Sequence, residues 1–295
     1  MVFQILSMIS FGLSNCFWYK PLVDISSLRL IVLRSSLTSI CFLLLVFLTE
    51  LNVINLPLNH VVIFHNLNYL DVLKSIGLCF INYWGLFFFL KSMQHTDARI
   101  SISISSAGTL IWFLMGIYLY NEKPALSSYI YILIFTLGWW FIENLSKKAW
   151  QLKWSKGVTY ALLCMLFWRS GGLFAMVIPK IGVLYFSLIL EVTVFVISSV
   201  LLFFTKNSSI SFFQDVRKHK YNLLALVIFG FVGVLLFNVA ISGTTLYTFA
   251  LIGMLQPLTS IIIGSFIFKT RLSLYQKIGI TILMTGMSLQ MLNIF

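Results

Sequence analysis

The feature that most restricts the fold is the spacing of long apolar runs. Ten stretches of roughly 20 mostly apolar residues follow one another, separated by short polar gaps such as "HTDAR" and "NEKP". A helix needs about 20 apolar residues to cross the hydrocarbon core of a bilayer. The pattern predicts ten transmembrane helices, near 3–19, 28–48, 73–93, 99–120, 126–144, 157–178, 182–204, 222–242, 246–268 and 274–293.

Composition places most of the protein surface in lipid. Hydrophobic residues make up 60% of the 295 positions and charged residues 9%, against roughly 25% charged in a soluble domain. The net charge of +12 does not indicate a nucleic-acid partner, because Lys and Arg stand mainly in the gaps between apolar runs, as they do in membrane proteins. We therefore expect an all-α polytopic membrane protein whose partners are the lipid bilayer and a small-molecule substrate, with no nucleic acid.

The chain carries the same apolar pattern twice. Gly286 lies 148 positions after Gly138, and the spans around these glycines superpose at that offset. In the first two spans of each half the offset is nearer 156, and Arg34 falls on Glu191 at an offset of 157. We expect the longer connection at 49–72 to account for the difference.

Each copy holds five predicted spans. Because five is an odd number, the second copy must enter the membrane with the opposite orientation, which gives an inverted-topology repeat like those of many secondary transporters. The predicted domains are a first five-helix repeat at 1–148 and a second, inverted five-helix repeat at 149–295. Two such halves leave an interface near the membrane midplane, which suits alternating access.

The end of each copy resembles the repeat unit of the EamA-type transporters in the drug/metabolite transporter superfamily. That unit reads roughly Leu-Gln-Pro, a helix, Gly-Glu-Arg-Leu-Ser, Gln, Gly and Gly. The family glutamate is Thr270 in the second copy and Glu122 in the first, where Thr109 replaces the proline and Tyr131 one glycine. The matching residues of the second copy are Gln256, Pro257, Arg271, Leu272, Ser273, Gln276, Gly279 and Gly286.

This resemblance implies ten helices that move a small metabolite, commonly outward across a bacterial inner membrane. It also implies that Arg34 is the arginine often found in the second span of the family. It does not identify the cargo, since the family includes nucleotide-sugar, amino-acid and drug carriers. The first span contains no acidic residue, so the glutamate-based proton coupling of the related four-helix proteins does not carry over.

Three ionisable residues lie deep in predicted spans: Arg34, Arg169 and Glu191. Charges within the hydrocarbon are costly and mark candidate functional sites. Arg169 and Glu191 lie at similar distances from the turn between spans six and seven, which puts both about 13 Å deep at 1.5 Å per residue. We therefore predict a direct Arg169–Glu191 pair beside the substrate, with a purely structural ion pair as the alternative. For Arg34 the alternatives are substrate contact and snorkelling to the membrane edge.

Polar and aromatic residues of the spans complete the predicted substrate-binding set. Aromatic rings beside a cation can hold a planar or amino-bearing solute, and an amide in lipid needs a partner. The alternatives are ordinary packing for the rings and interhelical hydrogen bonding for the amides. These further candidates are Trp168, Asn82, Tyr83, Trp84, Asn15, Asn238 and Gln256.

Lys and Arg divide unequally between the two faces of a ten-span arrangement. One face carries only Lys74, Lys123 and Lys180. The positive-inside rule makes the other face cytoplasmic, with the 145–156 connection inside and both termini outside, whereas the family resemblance implies termini inside. The basic face carries Lys20, Arg29, Lys91, Arg99, Lys147, Lys148, Lys153, Lys156, Lys206, Arg217, Lys218, Lys220, Lys269, Arg271 and Lys277.

The predicted function is secondary transport, with export of a small polar or amphipathic metabolite such as an amino acid or a related compound. The sequence has no GxxxxGK[ST] motif, so the energy must come from a gradient, and coupling to an ion or a proton stays open. HExxH, GxSxG and paired intramembrane aspartates are absent, so we expect no enzyme activity, no metal and no cofactor. A multidrug efflux carrier and a non-transporting membrane scaffold or sensor are the alternatives. We expect a monomer in the inner membrane.

Overall fold

The protein is helical throughout the part of the chain that the structure describes. The computed structural model describes residues 1–54, 67–96, 98–143, 155–205, 212–267, 269 and 271–291, and these residues contain no strand. The first half forms α1 (Val2–Asp24), α2 (Ser27–Glu50), α3 (Tyr69–His95), α4 (Ala98–Ala107), α5 (Thr109–Tyr120) and α6 (Leu126–Glu143). The second half forms α7 (Lys156–Trp168), a 3-10 segment (Arg169–Met176), α8 (Ile178–Ile181), α9 (Val183–Phe204), α10 (Phe212–Gly243), α11 (Leu246–Gly253), α12 (Leu255–Ile267) and α13 (Leu274–Met291).

These helices cover all ten predicted spans. Within the described ranges, seven helical stretches are long and apolar enough to cross a membrane, judged by length and composition. Two shorter apolar helices, Ile104–Tyr120 and Leu126–Ile142, cover the fourth and fifth predicted spans, and α13 covers the tenth. The expectation of an all-α polytopic membrane protein is confirmed. The predicted boundary between the repeats, at 148 and 149, lies outside the described residues.

Two family-motif residues start α13 by capping each other. The backbone N–H of Ser273 donates to Gln276 Oε1 at 2.9 Å, and the backbone N–H of Gln276 donates to Ser273 Oγ at 3.2 Å. This reciprocal arrangement is a capping box, which satisfies N–H groups that the first turn of a helix leaves free. The role of these two motif residues is therefore to set where the last helix begins.

Two residues with left-handed backbone occupy matching places in the repeats. Asn121 ends α5 at φ 51°, and Lys269 follows α12 at φ 52°. They lie at the 148-residue offset found in the sequence. A residue with a Cβ adopts this region at a cost of roughly 1 kcal/mol, which asparagine tolerates better than lysine. The same backbone turn therefore follows the fourth span of each half.

The most extensive helix contacts join one half of the chain to the other. Helix α1 packs on α10 and α12, α3 on α7, α2 on α9, α5 on α11, and α6 on α13. Glycines bring the last pair together: a Cβ at Gly279 would lie 2.5 Å from the carbonyl oxygen of Gly138. Small residues at such positions let helix backbones approach closely in a membrane. The halves are therefore interleaved, with shared interfaces through the middle of the protein.

Candidate substrate-binding cavity

A cavity lies where helices of the two halves meet. Residues from the middle of α1, α2, α3, α5, α9 and α10 line it, together with the 3-10 segment and one residue each from α7 and α12. The cavity has a volume of about 120 Å³, and an apolar cavity of about 150 Å³ holds one benzene molecule. A solute enclosed in it is therefore close in size to a small amino acid and far below a nucleotide sugar.

Two residues of α2 hold Glu191 of α9 in the cavity wall. Arg34 Nη1 donates to Glu191 Oε2 at 2.7 Å, and Thr38 Oγ1 donates to the same oxygen at 2.7 Å. Glu191 is 1% exposed and Arg34 is 6% exposed. Within the described residues, Glu191 Oε1 accepts no hydrogen bond. The ion pair therefore uses one of the two carboxylate oxygens and leaves the other for a further partner.

The predicted pairing of Arg169 with Glu191 is wrong, because Glu191 pairs with Arg34. The prediction assumed one continuous α-helix through the sixth span. The α-helix ends at Trp168, and the chain continues as a 3-10 segment, which has three residues per turn and a rise near 2.0 Å. Depth counted at 1.5 Å per residue is then incorrect, and the side chain leaves the backbone in another direction. Arg34, being buried, does not snorkel to the membrane edge.

Arg169 lies instead against the helices of the fourth span. Its Nη2 donates to the carbonyl oxygen of Ser105 at 2.7 Å, and its guanidinium carbon lies 4.4 Å from the centroid of the Trp112 ring. Gly108 makes room for this side chain, since a Cβ there would lie 2.6 Å from Arg169 Nε. The cation is 4% exposed and is held by a carbonyl dipole and an aromatic face.

Side chains of neighbouring helices donate hydrogen bonds to carbonyls of the broken sixth span. The hydrogen bonds run from Asn82 Nδ2 to Trp168 O (3.3 Å), from Trp112 Nε1 to Arg169 O (2.9 Å) and from Tyr120 OH to Gly172 O (2.8 Å). Irregular backbone at membrane depth is tolerated where it is buried in protein or lines a cavity, and broken helices mark the binding sites of many transporters. The break therefore builds part of the cavity wall.

Most of the predicted substrate-binding residues meet in this cavity. Trp84 does not line it and stacks among Phe80, Phe87 and Phe88. Asn238 donates to Ser187 Oγ at 2.9 Å between α10 and α9. Its amide therefore makes the interhelical hydrogen bond that was the alternative to substrate contact. The predicted residues in the wall are Arg34, Arg169, Glu191, Trp168, Asn82, Tyr83, Asn15 and Gln256.

The polar groups of the wall differ in how fully they are satisfied. Asn15 Nδ2 donates to Ser260 Oγ at 3.3 Å, which ties α1 to α12. The buried hydroxyl of Tyr83 and the buried Nε atoms of Arg34 and Arg169 have no hydrogen-bond partner within the described residues. Buried polar atoms without partners are rare and call for an explanation. The cavity thus combines satisfied structural amides with unsatisfied donors.

Sequence reasoning missed several residues of the wall. Trp112 and Trp18 line the cavity, but nothing in the sequence separates them from other aromatic residues in apolar runs. The Gly171–Gly172 pair did carry a signal, because adjacent glycines within a span indicate a break. Gly230 also lines the wall, and a Cβ there would lie 2.7 Å from Arg34 Nη2. This glycine leaves the space that the Arg34 guanidinium occupies.

No metal-binding cluster is found in the described ranges. No group of three or more His, Cys, Asp or Glu side chains there could hold a metal ion. The four cysteines are all free thiols, and three of them are buried. The sequence-based expectation of no metal and no cofactor remains a prediction.

Comparisons with known proteins point to transport. Residues 155–292 match the model of the EamA-like transporter family. Over 228 residues the chain is 26% identical to the protein called Uncharacterized transporter YxxF of Bacillus subtilis (strain 168), a match that covers 76% of this chain and 71% of that protein. The sequence resemblance to the drug/metabolite transporter superfamily is thereby confirmed.

The fold also has a counterpart of known structure. A protein solved by crystallography superposes with a TM-score of 0.70 at 12% sequence identity, over 97% of this chain and 94% of that chain. At that identity the likeness concerns the fold alone. It covers both halves of the chain, whereas the family match spans residues 155–292.

Proposed function

We propose that this chain, a membrane transporter with an EamA-like domain, is a secondary transporter that exports a small polar or amphipathic metabolite by alternating access. An amino acid or a related compound is the solute class that we propose. The observation that carries the proposal is the cavity with Arg34, Arg169 and Glu191 in its wall, at the interface of the two halves. Ionisable groups that face such a cavity within a membrane mark a solute or ion pathway.

The relation between the two halves supports the alternating-access part of the proposal. If the halves are exchanged, the packing of α2 on α9 and of α6 on α13 maps onto itself, and α5 on α11 becomes α12 on α4. Under the same exchange, α1 on α10 becomes α7 on α3. The left-handed residues Asn121 and Lys269 also correspond. Two inverted five-helix repeats would have these features, and their exchange would open the cavity to each side in turn.

The second candidate is a multidrug efflux carrier, and the aromatic wall of the cavity favours it. Broad-specificity carriers need apolar surfaces that fit many solutes. The cavity also has buried charges at fixed positions, and fixed charges favour discrimination by solute charge. The metabolite carrier is therefore the better supported of the two. We place the protein in the bacterial inner membrane, with a gradient of ions or protons as its energy source.

Flux through the purified protein tests the proposal. Protein in liposomes preloaded with unlabelled amino acids and related metabolites should accumulate the labelled counterpart of its substrate faster than empty liposomes do. A variant that should block the cavity is Gly171→Leu, because Gly171 lines the cavity and a leucine side chain there would extend among the other lining residues. Its matched control is Gly171→Ala, whose Cβ meets nothing closer than 3.6 Å. Export is measured as faster loss of the labelled substrate from preloaded cells that express the protein.

Two outcomes would contradict the proposal. Counterflow no faster than in empty liposomes, across the whole panel, would exclude transport of this solute class. Full flux through a folded Gly171→Leu variant would exclude this cavity as the pathway. A preference for large lipophilic cations would favour the multidrug alternative.

A further inference from the structure

The charges of the cavity do not cancel. Its lining includes three charged residues: Arg34, Arg169 and Glu191. Arg34 and Glu191 form a salt bridge at 2.7 Å and neutralise each other. Arg169 has no acidic side chain within salt-bridge distance in the described ranges. The wall of the cavity therefore carries a formal charge of about +1, located on Arg169.

The groups that hold Arg169 are neutral. The carbonyl of Ser105 and the ring of Trp112 orient the guanidinium, but a dipole and an aromatic quadrupole do not remove a formal charge. Arg169 Nε and Nη1 have no hydrogen-bond partners among the described residues. The guanidinium has five N–H donors in a planar fork. Several of these donors are thus left for another acceptor.

Water in the cavity can solvate this cation, but a bound solute displaces water. A buried charge that loses its solvation without gaining a counter-charge costs several kcal/mol. A solute with one net negative charge avoids that cost, because it replaces the lost water with a charge-assisted hydrogen bond. A zwitterion brings no net charge, and Glu191, the carboxylate that would meet its ammonium group, is already neutralised by Arg34.

The uncharged residues of the cavity wall indicate what kind of group the solute carries besides its charge. Beside the charges the wall is largely aromatic, with Phe11, Trp18, Trp112, Trp168, Phe174 and Phe237. Such rings favour a flat or branched apolar group. The volume limits that group to a few carbon atoms or one ring.

We propose that the substrate is a small organic monoanion: one carboxylate bound by Arg169, joined to an apolar or aromatic body without a charged amino group. This inference rests on the proposed function and narrows its substrate class, from amino acids and related compounds to those related compounds that lack a charged amino group. The Arg34–Glu191 pair then completes the wall and does not anchor the carboxylate. The solute classes that the cavity should discriminate against are zwitterionic amino acids, neutral amides and cations.

Four ligands that share a phenylethyl skeleton and differ in charge separate these solute classes. They are 3-phenylpropanoate (anion), 3-phenylpropanamide (neutral), L-phenylalanine (zwitterion) and 2-phenylethylamine (cation). Binding to the purified protein is followed by tryptophan fluorescence, since Trp18, Trp112 and Trp168 line the cavity, and by the rise in melting temperature. We expect the anion to bind roughly 10-fold to 100-fold more tightly than the amide and the zwitterion, as a charge-assisted hydrogen bond gives.

Variants of Arg169 test whether this residue causes the preference for the anion. Arg169→Met should bring the affinities of anion and amide within about threefold of each other, while the affinity for the amide changes little. Arg169→Lys keeps the charge and should retain most of the preference, which covers the case that the methionine variant does not fold. Lys74→Gln removes a positive charge from an exposed site and should change neither affinity.

Equal affinity for anion and amide in the wild type would overturn the inference, as would tighter binding of the zwitterion. Failure of all four ligands to change fluorescence or melting would do the same. If the Arg169→Met variant still prefers the anion over the amide, Arg169 is not the residue that binds the carboxylate. The proposed function is tested separately, because flux of a zwitterionic amino acid would support the transporter and contradict only the monoanion.

Discussion

Arg34 and Glu191 bind each other through a single nitrogen and a single oxygen, 2.7 Å apart, and they fall on one another when the two predicted repeats are aligned. They lie on α2 and α9, which pack together along their length. The contact thus joins the second span of one half to the second span of the other.

Removing one partner of this pair should harm the protein more than neutralising both. Arg34→Met or Glu191→Met alone leaves a buried charge without its partner and should cost about 3–5 kcal/mol. The double variant should recover much of this loss. The free energy of unfolding in mild detergent, measured as a double-mutant cycle, checks the coupling. Additive losses would show that the two charges do not stabilise each other.

The pair formed by Arg169 and Glu191 serves as the control for that cycle. These side chains share the cavity wall but make no ion pair with each other. Arg169→Met combined with Glu191→Met should therefore show a smaller coupling energy than the Arg34 cycle. A larger one would favour the pairing predicted from the sequence.

Two adjacent glycines should respond differently to alanine. A Cβ at Gly172 would lie 2.8 Å from Cδ1 of the Trp112 ring, whereas one at Gly171 meets nothing within 3.6 Å. Gly172→Ala must displace the indole that binds the carbonyl of Arg169, and should destabilise the protein by about 1–3 kcal/mol. Gly171→Ala should stay within about 0.5 kcal/mol. Thermal melting of both variants measures this difference, and equal losses would contradict the predicted geometry.

Glu122 should matter for stability. Its carboxylate accepts from the backbone N–H groups of Leu246 (2.6 Å) and Tyr247 (2.9 Å) at the start of α11. Glutamine can offer one oxygen and no charge, so Glu122→Gln should cost about 1–2 kcal/mol through the lost cap. The exposed neighbour Lys123 is the control, and Lys123→Gln should stay within about 0.5 kcal/mol. A melting temperature unchanged by Glu122→Gln would refute the capping role.

Replacing Lys269 with glycine should stabilise the protein. Lys269 has φ 52°, and glycine adopts this region without the steric cost of a Cβ, so we expect a gain of about 0.5–1 kcal/mol. Lys277→Gly, within α13, should instead cost about 1 kcal/mol because glycine weakens a helix interior. Both are read from unfolding midpoints. The left-handed assignment fails if Lys269→Gly is the more destabilising of the two.

The charge distribution makes a prediction about orientation. Lys20 and Lys123 are exposed and belong to opposite faces of the ten-span arrangement. By the positive-inside rule, a cysteine at position 20 is cytoplasmic and one at position 123 is external. In a background with Cys41→Ala, an impermeant thiol reagent added to intact cells should therefore modify Lys123→Cys and not Lys20→Cys. The reverse pattern would support the orientation implied by the family resemblance.

The sequence predicts the fold better than it predicts the site, and the reason is physical. Span length, the 148-residue offset and the Ser273–Gln276 cap follow from local rules of period and spacing, and helices lie over all ten predicted spans. The partner of Glu191 depends instead on which way each helix turns its side chains. One 3-10 segment beginning at Arg169 was enough to invalidate a pairing deduced from depth.

The family motif also explains why the sequence predicts the fold better than the substrate-binding site. Glu122 caps α11, Ser273 and Gln276 cap α13, and Gly279 lets α6 and α13 touch. These residues shape helix ends and helix contacts and do not line the cavity, whereas the motif residue Gln256 does. Most of the motif therefore identifies the fold and carries little information on the solute.

The left-handed turns after α5 and α12 bear on how the two copies diverged. Position 121 is now asparagine and position 269 lysine, and both hold nearly the same backbone angle. If the two predicted repeats share an ancestor, the turn kept its path while its side chains changed. Ancestry within this protein would then be recorded in backbone torsions more durably than in amino-acid identity. Evolutionary relationships among distant members of the family should therefore be easier to detect from the backbone angles of this turn than from its amino-acid sequence.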